Sequence, residues 1–157
     1  MTLETIPINW ADPKAKISDY FKVKEATYLI RWNVYHTPTE QEIANILRMA
    51  EVMDKIRAFL GCKVEVHCWI RPAVTNCQNT LYRGKDYNKL VGGAKASAHL
   101  DGLAVDFHAE HMLCDEVRAK LLPKLEEWDI RMENLPRSGW VHVDLKPPFR
   151  GNRYFKP

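Results

Sequence analysis

Residues 37–71 read TPTEQEIANILRMAEVMDKIRAFLGCKVEVHCWIR, and within this stretch the hydrophobic period changes from that of a helix to that of a strand. Thr37 can cap a helix, Pro38 suits its first position and Glu40 lies three residues after Thr37, so a capping-box start is expected there. Ile43, Ile46, Leu47, Ala50, Met53, Ile56 and Leu60 then recur at helical spacing, and Gly61 offers the stop. From Lys63 the period is two. Val64, Val66, Cys68 and Ile70 point one way, into a core, and Glu65, His67, Trp69 and Arg71 point the other.

The same alternation returns downstream. Leu103, Val105 and Phe107 oppose Ala104, Asp106 and His108, and Val141, Val143 and Leu145 oppose Trp140, His142 and Asp144. A weaker run sets Ile130 and Met132 against Arg131 and Glu133. A second helical pattern, Val117, Leu121, Leu125 and Trp128, lies in residues 113–128 and should bend or restart at Pro123. Between the first two strands, residues 72–98 form a long segment rich in Asn, Gly and small residues, a length usually kept for function. The expected fold class is α+β: a small, mostly antiparallel sheet packed on helices through one face and carrying polar groups on the other.

With 157 residues, 46% apolar and 27% charged, the chain has the size of one domain with a proper core, over about residues 19–145. The net charge of +3 is concentrated in a basic tail, residues 146–157, where Lys146, Arg150, Arg153 and Lys156 meet no acid. That distribution argues against nucleic acid, which calls for a basic stripe across the body. The tail is expected to be a solvated terminus. Residues 1–16, MTLETIPINWADPKAK, lack a signal-peptide pattern, and no apolar run has membrane-spanning length, so a product made in the cytoplasm without membrane insertion is expected. Cys62, Cys68, Cys77 and Cys114 show no CxxC pair and are read as reduced filler, none of them a metal ligand.

If the apolar strand faces share one core, Arg71, Asp106, Glu133 and His142 emerge together on the opposite face, beside Trp69 and Trp140. His99, just before the second strand, could turn its ring to the same place. Two histidines and a carboxylate suit a catalytic zinc, which keeps a further position open for water. Asp144, two residues after His142 on the same face, could orient it. His36, His67, His108 and His111 receive no catalytic role.

Residues 92–106, GGAKASAHLDGLAVD, carry Ser97, His99, Gly102, Ala104 and Asp106 on the fixed positions of SxHxxGxAxD, and residues 140–144, WVHVD, supply a later WxH element. Together they resemble the M15-type zinc peptidases, the superfamily of D-Ala-D-Ala carboxypeptidases and phage endolysins. WIRPAVTN at 69–76 resembles the segment in which an arginine, here Arg71, helps bind substrate. DYF at 19–21, followed by the long helix ending in IRAFLG, gives the order of the single-domain phage and prophage branch.

The resemblance implies a hedgehog or D-Ala-D-Ala peptidase-like fold and one Zn2+ per chain, held by His99, Asp106 and His142. It further implies peptidoglycan stem peptides as substrate, with Ser97, Asp144, Trp140 and Trp69 around the site, in a monomer acting on the cell wall after release. One branch of the family has a glutamate three residues before the last histidine; here that position is Gly139, and Glu133 is taken as the general base instead. An endolysin-type endopeptidase is the leading expectation. A D-Ala-D-Ala carboxypeptidase or dipeptidase is the second, and a catalytically silent zinc-binding interaction domain, as in the related hedgehog fold, is the third.

Overall fold

The computed structural model describes residues 5–157. Residues 1–4, the start of the segment that lacks a signal-peptide pattern, lie outside the described residues.

The first ordered elements are helix α1 (Val23–Thr27) and the hairpin β1 (Tyr28–Leu29) and β2 (Val34–Tyr35). They lead into the long helix α2 (Glu40–Leu60), which begins two residues later than the sequence predicts. Thr39, not Thr37, is its cap. The Thr39 hydroxyl accepts from the Glu42 amide at 3.2 Å, and the Glu42 carboxylate accepts from the Thr39 amide at 2.9 Å, closing the reciprocal box. Both Thr-x-x-Glu/Gln registers occur in the sequence, and buried His36 decides between them by sharing the Glu42 carboxylate at 2.7 Å. Gly61 ends the helix in the left-handed region at φ 67°.

Strand β3 (Val64–Cys68) comes next, then a long connection containing only the short helix α3 (Tyr87–Leu90) and a single 3-10 turn (Ala98–Asp101). Strand β4 (Ala104–Ala109), helix α4 (Cys114–Leu121) with a 3-10 continuation (Leu122–Lys124) at Pro123, and strands β5 (Arg131–Glu133), β6 (Val141–Asp144) and β7 (Tyr154–Phe155) complete the order. The main sheet runs β3-β4-β6-β5-β7, antiparallel except for the parallel pair β5 and β7. Ile46, Met49, Met53 and Ile56 of α2 and Val117 and Leu121 of α4 share one core with Val105, Phe107, Val141 and Val143 of the sheet. Truncating one such side chain to alanine typically costs ~2–5 kcal/mol. The α+β architecture is therefore the one the alternation predicts. No helix of the described residues is long and apolar enough to cross a membrane.

Two local expectations are corrected. In the ladder of β3 with β4, Val66 faces Phe107 and Cys68 faces Asp106, so two residues on β3 are spent against one on β4. This bulge at His67 reverses the parity of the next two residues, whereas Ile70 remains in the core and Arg71 on the cleft. Cys68 leaves the core face and comes beside Asp106, whereas Trp69 turns into the core, 1% exposed, with its ring edge-on to Phe21.

The basic tail, expected to be solvated, instead supplies β7. The Met132 amide donates to Arg153 O at 2.8 Å and the Asn134 amide to Phe155 O at 2.6 Å, while Arg153 pairs with Asp129 at 2.8 Å. The tail satisfies the otherwise open edge of β5.

Candidate metal centre and cleft

Register places the first two candidate groups. Asp106 on β4 lies directly opposite His142 on β6, so both side chains leave the same face as close cross-strand neighbours. His142 Nδ1 is 2.8 Å from Asp106 Oδ1, and its Nε2 is 2.9 Å from Asp144 Oδ2. Asp144 is 1% exposed. It accepts from Nε and Nη2 of Arg131 on the next strand, each at 2.8 Å, and from the Lys146 amide at 3.0 Å. An ionised carboxylate can only accept, so Asp144 fixes a proton on Nε2 of His142, and the Nδ1 that faces Asp106 either holds a second proton or, with that proton displaced, offers its lone pair to a cation.

His99 arrives from the turn before β4. Ser97 starts that turn, its hydroxyl accepting from the His99 amide at 3.2 Å and from Arg71 Nη2 at 3.0 Å. Gly102 ends it at φ 78°, where an added Cβ would also come within 2.8 Å of Ile46 Cγ1. Both conditions explain why the motif carries glycine there. His99 Nδ1 is 2.6 Å from Trp69 O. A carbonyl can only accept, so the His99 proton is on Nδ1 and the lone pair is on Nε2. That Nε2 is buried, makes no hydrogen bond, and lies 3.1 Å from Asp106 Oδ1, the same oxygen that His142 approaches.

Nε2 of His99 and Nδ1 of His142 thus both approach Asp106 Oδ1, and two imidazoles with a carboxylate suit a cation of the borderline-soft kind, although the donors that lie mutually within 4.8 Å are those of Cys68, His99 and Asp106. Left without a cation, the group must hold a proton. Burial works against charge on His142, but hydrogen bonds that its ring donates to Asp106 and Asp144 outweigh it and lift the imidazole to about 9. Burial likewise opposes ionisation of Asp106 and Asp144, yet both are held below the usual carboxylate range, Asp106 by His99 and His142 and Asp144 by His142 and Arg131.

Cys68 is a further donor, read from the sequence as filler, since its sulfur and ligand atoms of His99 and Asp106 all lie within 4.8 Å of one another. His142 is the other candidate for the third position, 2.8 Å from Asp106 Oδ1. The Cys68 sulfur lies 3.8 Å from His99 Nδ1, a nitrogen already committed to Trp69 O. Burial first, then the Asp106 charge, push its thiol up to about 12. All four cysteines are free.

His99, Asp106, His142 and Asp144 open onto a cleft of about 500 Å³ that is also lined by Arg71, Ser97, Glu133 and Trp140. The structure therefore brings together every candidate residue except Trp69. The Trp69 ring is in the core, donating to Gly102 O at 3.1 Å, and only its main-chain oxygen serves the site.

Arg71 presents a buried Nε without a partner. Glu133 stands on β5 facing the cleft, and its charge acts on His142. Arg131 pairs with Asp144 and leaves Glu133 without that neighbour. Sequence reasoning missed Arg131 as a holder of Asp144, although their shared polar face was legible and only the β5 to β6 register was lacking. It also missed Phe149, Phe155 and Lys156, which no motif marks. His67 and His108 lie outside the cleft, paired with each other at 2.5 Å, with Glu65 on the far nitrogen of His108 at 3.3 Å.

A family model described as Peptidase M15 matches residues 20–144 of the chain. Searches of curated proteins and of solved structures found no match.

Proposed function

Because this chain belongs to the peptidase M15 family of metallopeptidases, we propose that it is a zinc peptidase that hydrolyses stem-peptide bonds of bacterial peptidoglycan, as an endolysin-type endopeptidase. The observation that carries the proposal is the buried, unpartnered His99 Nε2 beside the Asp106 oxygen that His142 also approaches. In it, His99 Nε2, Asp106 Oδ1 and His142 Nδ1 hold one zinc ion. Zinc in such a site polarises a carbonyl and acidifies water.

The chain's own groups do the rest. Arg131 and Asp144 fix His142 in the tautomer that frees Nδ1, and Trp69 O frees Nε2 of His99 in the same way. Arg71, with one N–H unsatisfied at the cleft wall, receives a substrate carboxylate or the developing oxyanion. Glu133 faces the same space and takes the proton from the attacking water. The enzyme acts as a monomer on the wall after release from the cytoplasm. The same unsatisfied Arg71 also favours a second reading, a D-Ala-D-Ala carboxypeptidase, in which it binds the terminal carboxylate.

The test is digestion of purified peptidoglycan with and without a chelator, then mass analysis of the products. New termini inside the stem identify the endopeptidase, and release of terminal D-alanine identifies the carboxypeptidase. Activity that survives verified metal removal refutes both.

A further inference from the structure

The family match ends at residue 144, yet one wall of the cleft is built from residues beyond it: Phe149, Phe155, Lys156 and Pro157. This segment is tied down. Strand β7 runs parallel to β5 with Phe155 in register with Glu133, and the Asn134 amide next to Glu133 donates to Phe155 O at 2.6 Å.

Its placement reaches the metal centre through one ring. The Arg131 guanidinium lies 4.2 Å from the centroid of Phe155, and the same ring stands edge-on to His142 at 6.3 Å and 85°. Phe155 therefore covers the two groups that Asp144 joins. Covering a charged pair from water strengthens it, and a cation over an aromatic face adds a further attraction. On the outer side, Phe149 and Trp140 offer apolar surface, 55% and 41% exposed, and exposed Lys156 brings positive charge to the rim.

We infer that residues 149–157 are a specificity wall, in which Phe155 is a positioning residue for the Arg131, Asp144 and His142 chain while Phe149 and Lys156 receive an acidic peptide substrate. This rests on the peptidase reading above. The wall selects peptides that place an apolar group against Phe149 and Trp140 and a carboxylate near Lys156. A covering ring in this position acts on turnover, and a rim cation acts on binding.

The test uses the full-length, zinc-loaded chain with a series of synthetic stem peptides that carry the side carboxylate either free or amidated. Phe155→Ala should lower kcat about tenfold or more, the range typical of disturbing the support of a metal ligand, with the bound zinc count unchanged. Phe155→Tyr should restore most of it. Lys156→Gln should raise KM several-fold for the free-carboxylate peptides only, and leave kcat and the amidated peptides alone.

Equal kinetics of wild type, Phe155→Ala and Lys156→Gln on every peptide would overturn the wall. So would a Lys156→Gln effect that ignores amidation. If Phe155→Ala fails to fold, Phe149→Ala and Lys156→Gln still read the outer side. Calorimetric binding of the two peptide forms reads the wall even without cleavage, so a wild type that binds selectively but cuts nothing sinks only the peptidase reading.

Discussion

His142 owes its usable nitrogen to what grips the other one. The Asp144 carboxylate takes the proton on Nε2, and Arg131 keeps that carboxylate ionised and in place. Asp144→Asn should therefore weaken zinc binding about 10- to 100-fold in competition with a chromophoric chelator, since it removes the charge that raises the basicity of the ligand. The duty proposed for Glu133 is different. Glu133→Gln should keep stoichiometric zinc and lose about a hundredfold or more in turnover, measured as metal content and rate on the same preparation. A fully active Glu133→Gln enzyme removes Glu133 from the mechanism.

At this scale the sequence is informative wherever side-chain alternation is unbroken. Asp106, His142 and Asp144 fall on one face because β4 and β6 pair without irregularity, and His99 is marked by the motif. The one bulge at His67 moves Cys68 and Trp69 together off the faces that alternation assigns them, and a bulge leaves no mark in a period-two pattern.

Among the elements, helix α2 gives the sharpest contrast between two residues that look alike in sequence. Thr39→Ala should cost about 1 kcal/mol in denaturant unfolding, because the orphan amide of Glu42 loses its acceptor. Thr37→Ala, at an exposed position ahead of the helix, should stay within about 0.5 kcal/mol of wild type. The reverse order would restore Thr37 as the cap. Long elements are plain in the sequence, as α2 is through Ile46, Ala50, Met53 and Ile56, all buried as expected. Short ones are not. β7 has two residues and exists because β5 offers it an edge, a reason visible only once the sheet is assembled.

For the molecule as a whole, the candidate metal centre links charge to stability. Without metal, His142 is raised from its ordinary 6.5 to about 9, so its contribution to the fold is complete below pH 6.5 and is lost as the pH rises through 9. Thermal melts of the chelated protein should therefore fall in midpoint between pH 6.5 and pH 9. Zinc-loaded protein should show no such fall, because the Nδ1 that would take the proton is occupied, and protons become competitors of the ion as the pH drops. Identical pH profiles for the two forms would place the ion elsewhere.

The turn that bears His99 is fastened almost wholly through backbone atoms. The Trp69 indole holds Gly102 O, Trp69 O holds the His99 ring, the Arg71 amide donates to His99 O at 2.8 Å, and Asn45 Nδ2 donates to Asp101 O at 3.0 Å. None of these clasps consults the side chains of Leu100 or exposed Asp101. In a saturation library those two positions should accept nearly any residue while His99, Gly102 and Trp69 accept almost none, leaving a small window of free variation inside an otherwise unforgiving turn.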